Sequence, residues 1–495
     1  MPVDNHFFFG QAINLLRAET PTSLYIKWMR EYPDAPFIRY LTVANNEVLV
    51  CNSLNCHKEV LQTQCYSFRK PDRWIRTFES LVGKGVMTME GAEHRAARKM
   101  LAGPFSLGNI RKLEPVFRAK ARDISAVFDH AIATNPEGSG QGVIDCTDTF
   151  SKATLDIVGA TVLGIDLENI TSANYGKRHG PGSQDAASGK RTEDYSFHQA
   201  YCVTFSQGPM GKALLYANGF FPTRWIPVEA NRTFLFAAHW LNSTLTQIVR
   251  TRQNQVREAI STGKHIRSES QDLLTFLIED SMTGGLAERL TEEEFVGDLM
   301  QFMSAGHDTS ANVLSWGLYI MATKQDIQSR LRKEIGDMVA EVPDPTYAEI
   351  EKLQYLDHFV KEVLRMFSPA TTLHRQATEN LIIEGVAIPE GTTLDIVPSV
   401  TSLNPVVWGD DVDDIDPSRW DRLTGDQLSP YAFEAFSNGP RICIGRSFAY
   451  LEIKTIFVEI IRNHRFLNVE KPFTVENPAF TLRPAGLEVR LERIG

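Results

Sequence analysis

The sequence predicts a mainly α fold with a small β-sheet region (α+β), on three observations. Long stretches carry apolar residues at three- and four-residue spacing, most clearly "RKLEPVFRAKARDISAVFDHAI" and "EFVGDLMQFMSAGHDTSANVLSWGLYIMATK". Strand-like pieces are short and gather in three places: "FIRYLTVANNEVLVC", "NLIIEGVAIPEGTTLDIVP" and the C-terminal "FTLRPAGLEVRLER". No composition shift, internal repeat or long Pro/Gly/Ser linker divides the 495 residues, so residues 1–495 read as one domain, although length alone would allow roughly three.

Taken in order, the chain opens with "MPVDNHFFFGQAINLL", too short and too polar for a signal peptide. No run near it approaches the ~18 apolar residues of a membrane span, so the protein either stays out of the bilayer or has lost an anchor. In "EVLVCNSLNCHKEVLQT" a strand turns into an amphipathic helix. Cys51, Cys56, His57 and Cys65 lie close together, but without a CxxC pair they read as buried or half-buried thiols rather than a zinc site. The polar stretches at 135–142 and 176–194 read as mobile surface loops. The second long helix, about thirty residues, is long enough to cross a large domain at about 1.5 Å per residue. In its middle, "MSAGHDTSA" clusters Gly306, Asp308 and Thr309, mediocre helix formers that cost about 1–2 kcal/mol against alanine. A local kink or a buried ligand explains such a cost; a plain core helix does not. In "KEVLRMFSP", Glu362 and Arg365 stand three apart on one helix face, a pair that by itself is ordinarily solvated.

With 43% hydrophobic and 23% charged residues the composition is that of a soluble globular protein, and the net charge of −10 argues against nucleic acid as a partner. Six cysteines are too few for a disulfide framework and point to a reducing compartment. One of them, Cys443, stands in "FSNGPRICIGRSFAYLE". Gly439 and Gly445 allow a tight turn, Pro440 stiffens it, and Arg441 places a cation two residues away. The helix that follows puts the thiol near a positive helix end, which favours a thiolate. Three roles fit: nucleophile, redox thiol, or axial ligand of a metal cofactor. No histidine base is local, and Cys202 is distant in sequence. A thiolate under haem iron uses every feature present.

Phe436, Gly439, Arg441, Cys443 and Gly445, read as F-x-x-G-x-R-x-C-x-G, resemble the haem-binding signature of the cytochrome P450 family. The resemblance covers nearly the whole chain and implies that family's fold, with a long central helix over the haem and Cys443 as axial ligand of haem b, iron protoporphyrin IX. It implies further roles for the motifs above. Arg419, in "DPSRW", would close a buried triad with Glu362 and Arg365. In the "AGHDT" motif, the groove beside Gly306 leaves room for dioxygen; Thr309 would hydrogen-bond the bound oxygen and Asp308 would relay protons. His94 and Arg98, four apart in "MEGAEHRAARKML", and Arg375, in "TLHRQATEN", match propionate-binding positions. Ser402 departs from the histidine that many relatives carry. By the same analogy Phe78, Val86, Phe302, Ala305, Gly306, Ala370, Thr371 and Phe480 line an apolar substrate pocket, although apolar residues at helical spacing are by default core.

The resemblance implies a monooxygenase that inserts one oxygen atom of dioxygen into an apolar small organic molecule, with fungal-style secondary metabolism as the setting. No GxGxxG follows a strand, so electrons come from a separate partner, an NADPH–cytochrome P450 reductase or a similar electron donor. The alternatives are a peroxide-driven or non-oxygenase haem-thiolate enzyme (isomerase, dehydratase, oxidative coupling), and a haem sensor without turnover. The intact Asp308–Thr309 pair argues against both. "GKALLYANGFFPTRWIPVEA" is rich in Phe220, Phe221, Trp225 and Ile226, and such a loop is able to dip into a lipid interface, although the same aromatics could pack beneath it. We expect a monomer with peripheral contact to the cytosolic face of the endoplasmic reticulum membrane, the alternative being a soluble cytoplasmic protein.

Overall fold

The computed structural model describes residues 2, 5–135, 138–170, 195–262 and 272–494. The stretch 176–194 lies outside the described residues, as do 136 and 137 of the stretch 135–142. That second stretch is also shorter as a loop than the sequence suggested, because Gln141 and Gly142 already belong to a strand.

Among the described residues twelve short strands run in chain order as β1 (Phe37–Leu41), β2 (Glu47–Cys51), β3 (Phe68–Arg69), β4 (Gln141–Asp145), β5 (Leu373–Ala377), β6 (Leu381–Ile383), β7 (Val386–Ile388), β8 (Thr393–Ile396), β9 (His464–Val469), β10 (Thr474–Val475), β11 (Pro484–Ala485) and β12 (Glu488–Arg493). They form a five-stranded sheet ordered β1-β2-β8-β5-β3, a three-stranded sheet β4-β12-β9, and the pairs β10-β11 and β6-β7. Helices make up most of the remainder, the longest being Glu229–Ser261 and Glu292–Thr323.

The chain divides into two compact units. The first comprises Met1–Pro71, Ala121–Ser151 and Asp308–Gly495 and carries all twelve strands. In β1, Ile38 and Tyr40 alternate inward; with Val48 and Val50 of β2 they pack on Tyr25, Trp28 and Met29 of the Ser23–Glu31 helix. On a second cluster Leu394 and Ile396 of β8 meet Cys51, Val60, Leu61 and Phe68. Truncating one of these core aliphatics to alanine costs about 2–5 kcal/mol. The Gln354–Met366 helix buries Leu356, Phe359, Val360 and Val363 at helical spacing, and ends as the chain approaches Pro369. The Arg446–Asn463 helix is buried on nearly every side. The second unit, Asp72–Lys120 and Lys152–His307, has only helices and loops among its described residues.

Candidate active site

The loop into the Arg446–Asn463 helix takes its shape from backbone constraints. Gly439 has φ +69°, and a Cβ there would lie 2.1 Å from the carbonyl oxygen of Leu61, so only glycine lets the loop seat against the 59–63 turn. The amide of Cys443 donates to the carbonyl of Phe436 at 2.8 Å and closes the loop. Cys443 is the one exposed cysteine of the six; Cys202 is half-buried, the others buried. Burial pushes the thiols of Cys51, Cys56 and Cys146 up, which leaves them inert. Cys443 stands just before the N-terminus of the 18-residue helix, where the dipole favours a thiolate. At Gly445 an added Cβ would meet only the Cys443 sulfur, at 3.8 Å, so space is open on that side.

Side chains brace this loop from behind. Arg441 donates to the carbonyl of Phe68 at 3.3 Å and lies over the ring of Tyr66. The Phe436 ring packs on Tyr450 at 5.2 Å. Glu434, fully buried, takes a 2.6 Å bond from His57, whose other ring nitrogen reaches the carbonyl of Cys51 at 3.0 Å. The sequence reading missed this pair; the signal was a carboxylate inside the otherwise apolar "YAFEAF". His57 is thus a structural cation and not a metal ligand.

Glu362, Arg365 and Arg419 are all buried. Arg365 grips Glu362 through two nitrogens at 2.8 and 2.9 Å and also reaches the carbonyls of Ser402, Val412 and Asp414. Ser402 returns a bond from its hydroxyl to the carbonyl of Arg365. Arg419 approaches Glu362 only to 3.7 Å; its nearer partner is Asp411, at 2.9 Å to the carboxylate and 2.6 Å to the carbonyl. The amide of Asp416 and the indole of Trp420 complete the shell of Glu362. The cluster is therefore larger than a triad. Arg375 is also buried and donates to the carbonyl of His374, while His374 bonds Asp395 at 2.6 Å. Asp395 takes further bonds from Tyr25 and Tyr40; burial raises its pKa, but His374 and these donors outweigh burial and hold it below the usual carboxylate range.

The long helix Glu292–Thr323 is well buried through its middle except at Ala305, which is exposed, and at half-buried Ser304, Gly306, Asp308 and Thr309. Ala305 and Thr309, four apart, share a face. The carboxylate of Asp308 accepts from the hydroxyl of Thr481 and, at 3.4 Å, from Asn312. Next along, Ser310 donates at 2.5 Å to Glu452, whose fully buried carboxyl is pushed up to about 8 by burial. Neither Thr481 nor Glu452 was legible in the sequence. Ala370 bridges to Thr481, and the Thr371 hydroxyl donates to the carbonyl of Phe480, whose ring is 38% exposed.

In the second unit His94 (buried) and Arg98 (half-buried) share the Gly91–Leu101 helix. Phe78 stacks on Trp74 at 4.7 Å, and Phe302 packs on Phe105 at 5.5 Å. Val86 is buried, and a Cβ on Gly306 would come within 3.0 Å of Val158.

Among the described residues no group of three His, Cys, Asp or Glu side chains is arranged to hold a bare metal ion. A lone thiolate cannot hold one either. The donor set at Cys443 instead suits a metal that arrives with its own macrocyclic ligands, and beside Gly445 the Cys443 sulfur is the one atom that an added Cβ would meet.

Comparisons with known proteins agree with this geometry. The sequence model of the family described as Cytochrome P450 matches residues 1–491. Cytochrome P450 monooxygenase FUM15 of Gibberella moniliformis is 28% identical, covering 94% of this chain and 83% of its own. The monooxygenase sphH of Aspergillus fumigatus is 26% identical, over 94% of this chain and 82% of its own. A solved structure described as the cytochrome P450DA heme domain is 19% identical and superposes with a TM-score of 0.79, covering 99% of this chain and 97% of that one, which shows the fold. The chain belongs to the cytochrome P450 family and is a monooxygenase of that family, whose cofactor is a haem iron.

Proposed function

We propose that this enzyme inserts one oxygen atom of dioxygen into an apolar small organic molecule of fungal secondary metabolism, with Cys443 as the axial thiolate of haem b. The observation that carries the reading is the setting of Cys443: an exposed thiol at a helix N-terminus, on a loop that only Gly439 can seat and with open space beside Gly445. Bound there, the haem would supply the activation of dioxygen, helped by electron density from the thiolate. Every other task falls to this chain. In the first unit Arg441 and Arg375 supply positive charge and donors for the propionates; in the second, His94 and Arg98 carry groups of the same kind. Thr309 offers a hydroxyl on the face of the exposed Ala305, and Asp308 holds a carboxylate oriented by Thr481 for proton transfer. The apolar side chains of Val86 and Phe302 exclude water. An intact Asp308–Thr309 pair favours dioxygen and a separate NADPH–cytochrome P450 reductase over a peroxide-driven or non-oxygenase reaction.

The test is Cys443→Ala. The variant should lose the red-shifted absorbance that the reduced protein shows with carbon monoxide, and a variant that keeps that band overturns the assignment.

We further place the enzyme, as a monomer, on the cytosolic face of the endoplasmic reticulum membrane. Phe220, Phe221 and Trp225 are exposed, Trp225 to 75%, and no helix among the described residues is long and apolar enough to cross a membrane. Surface aromatics of this kind hold a protein in the lipid interface. Sedimentation with phosphatidylcholine vesicles should fall when Phe221 and Trp225 are both changed to serine; unchanged sedimentation favours the cytoplasm.

A further inference from the structure

We propose that Arg224 forms a binding site for an organic oxyanion, a carboxylate or a phosphate, through the fork of donors on its Nε and Nη2. The site lies wholly within the second unit and does not depend on the haem reading.

Arg224 is half-buried, in a turn that two fully buried side chains hold in place. The Thr223 hydroxyl donates to the carbonyl of Leu214 at 2.6 Å, and the Thr223 amide donates to Asn218 Oδ1 at 3.1 Å. Asn231 Nδ2 donates to the carbonyls of Thr223 and Ile226 at 2.7 and 2.9 Å. Above this frame the Arg224 Cζ stands over the buried Phe234 ring, 3.6 Å from its centroid, and Nη1 donates to Asn231 Oδ1 at 3.3 Å. Nε and Nη2 are screened from solvent and have no hydrogen-bond partner among the described residues. Burial, with no neighbouring carboxylate to oppose it, pulls the guanidinium pKa down to about 10.

One cation–π contact and one long hydrogen bond do not offset the desolvation of a guanidinium with two N–H groups unmet. The missing partner belongs to one particular edge. Nε–H and Nη2–H point the same way and match two oxygens of a single carboxylate or phosphate. Three other arginines of this chain use that same pair of nitrogens on a carboxylate: Arg365 on Glu362, Arg250 on Glu292 and Arg490 on Glu470, at 2.7 to 2.9 Å. Among the described residues Arg224 has no such carboxylate, so an oxyanion from outside the chain fills the place. The exposed rings of Phe221 and Trp225 nearby in the chain suit an apolar body on that anion. Because Arg224 as a whole is only half-buried, a turn of its flexible side chain brings the covered fork to the surface.

The experiment uses the haem-loaded full chain as wild type, as Arg224→Lys, which keeps the charge but not the fork, and as Arg224→Met. The probes are cyclohexanecarboxylate, its neutral amide, inorganic phosphate, and phosphatidylcholine vesicles with and without phosphatidic acid. Calorimetry measures the soluble probes and sedimentation the vesicles. Protection of Arg224 from phenylglyoxal, read by mass spectrometry on wild type, needs no variant at all. Wild type should bind the carboxylate at least about tenfold more tightly than the amide; Arg224→Lys should lose about tenfold, and Arg224→Met the whole preference. Without ligand, Arg224→Met should melt no lower than wild type, because the charge it removes is unpaired. Protection by the soluble anions supports a free small molecule as the ligand; protection by phosphatidic acid vesicles alone supports a lipid headgroup. Equal carboxylate binding in all three proteins, with Arg224→Met melting lower, makes Arg224 structural and overturns the proposal. A wild type that binds carboxylate and amide alike, and whose Arg224 no probe protects, overturns it as well.

Discussion

The imidazole of His57 is held between the Glu434 carboxylate, 2.6 Å from Nδ1, and the carbonyl of Cys51, 3.0 Å from Nε2, with both side chains sealed from solvent. Both neighbours accept, so both ring nitrogens carry protons and the ring is a cation balanced by Glu434. Burial alone would push its pKa down; the charge and hydrogen bond of Glu434 outweigh burial and raise it. With the folded value raised, the stabilisation is fully present below the unfolded value of about 6.5 and is lost as pH rises through the folded value. Changing His57 to Phe leaves Glu434 buried without a counter-charge and should cost about 3–5 kcal/mol. Adding Glu434→Leu should recover most of that loss, because an apolar pair replaces a buried ionic one. Melting temperature and haem bound per chain are the readouts; a double variant as unstable as the single would refute the account.

Glu362→Gln removes the one anion that Arg365 grips and Arg419 faces. Two buried guanidiniums then lack their shared counter-charge, which should cost about 3–5 kcal/mol and leave little haem-loaded protein. Arg419 keeps Asp411, so Asp411→Asn should cost less, about 1–2 kcal/mol. Soluble yield and haem absorbance per chain rank the two, and the reverse order would place the weight of the cluster on Asp411.

Glu452 predicts a pH dependence. Burial raises its carboxyl from 4.5 to about 8, against a small pull down from the Ser310 hydroxyl. Its contribution is then full below about 4.5 and declines as pH rises, until it is gone near 8. Glu452→Gln cannot ionise, so the variant should gain on wild type across that window, by roughly 2–5 kcal/mol at its upper end. Denaturant titrations at several pH values check this; parallel stability curves for the two proteins would show that Glu452 does not titrate there.

In the reading proposed above, Thr309→Ala leaves an apolar gap where a hydrogen-bond donor is needed, so water should enter and protons be misdirected. Product formed per NADPH consumed should fall at least about tenfold while substrate still binds with near-normal affinity. Thr481→Val should lower coupling in the same direction, because it removes the hydroxyl that orients Asp308. Coupling that is unchanged in Thr309→Ala excludes an oxygen-handling role, and equal loss of binding makes Thr309 a pocket residue. Unchanged turnover with peroxide as oxidant would favour the peroxide-driven alternative.

What the sequence determined by itself was whatever depends on near neighbours in the chain. The thirty-residue periodicity marked the helix that the structure places at Glu292–Thr323, and the glycines around Cys443 marked a tight turn before a helix. Tertiary structure alone decided which charges were buried and what they met. Glu362 and Arg365 could have been a solvated surface pair; their burial follows from packing with Trp408, Trp420 and the 411–419 segment. His57 finds Glu434 across 377 residues, Asp298 finds Val86 across 212, and Ser310 finds Glu452 across 142. β5 and β9 were also missed; in the structure β5 pairs with β8 and β9 with β12. Spacing and propensity act over a few residues, whereas a buried polar group is stable only beside a partner that the folded chain brings to it.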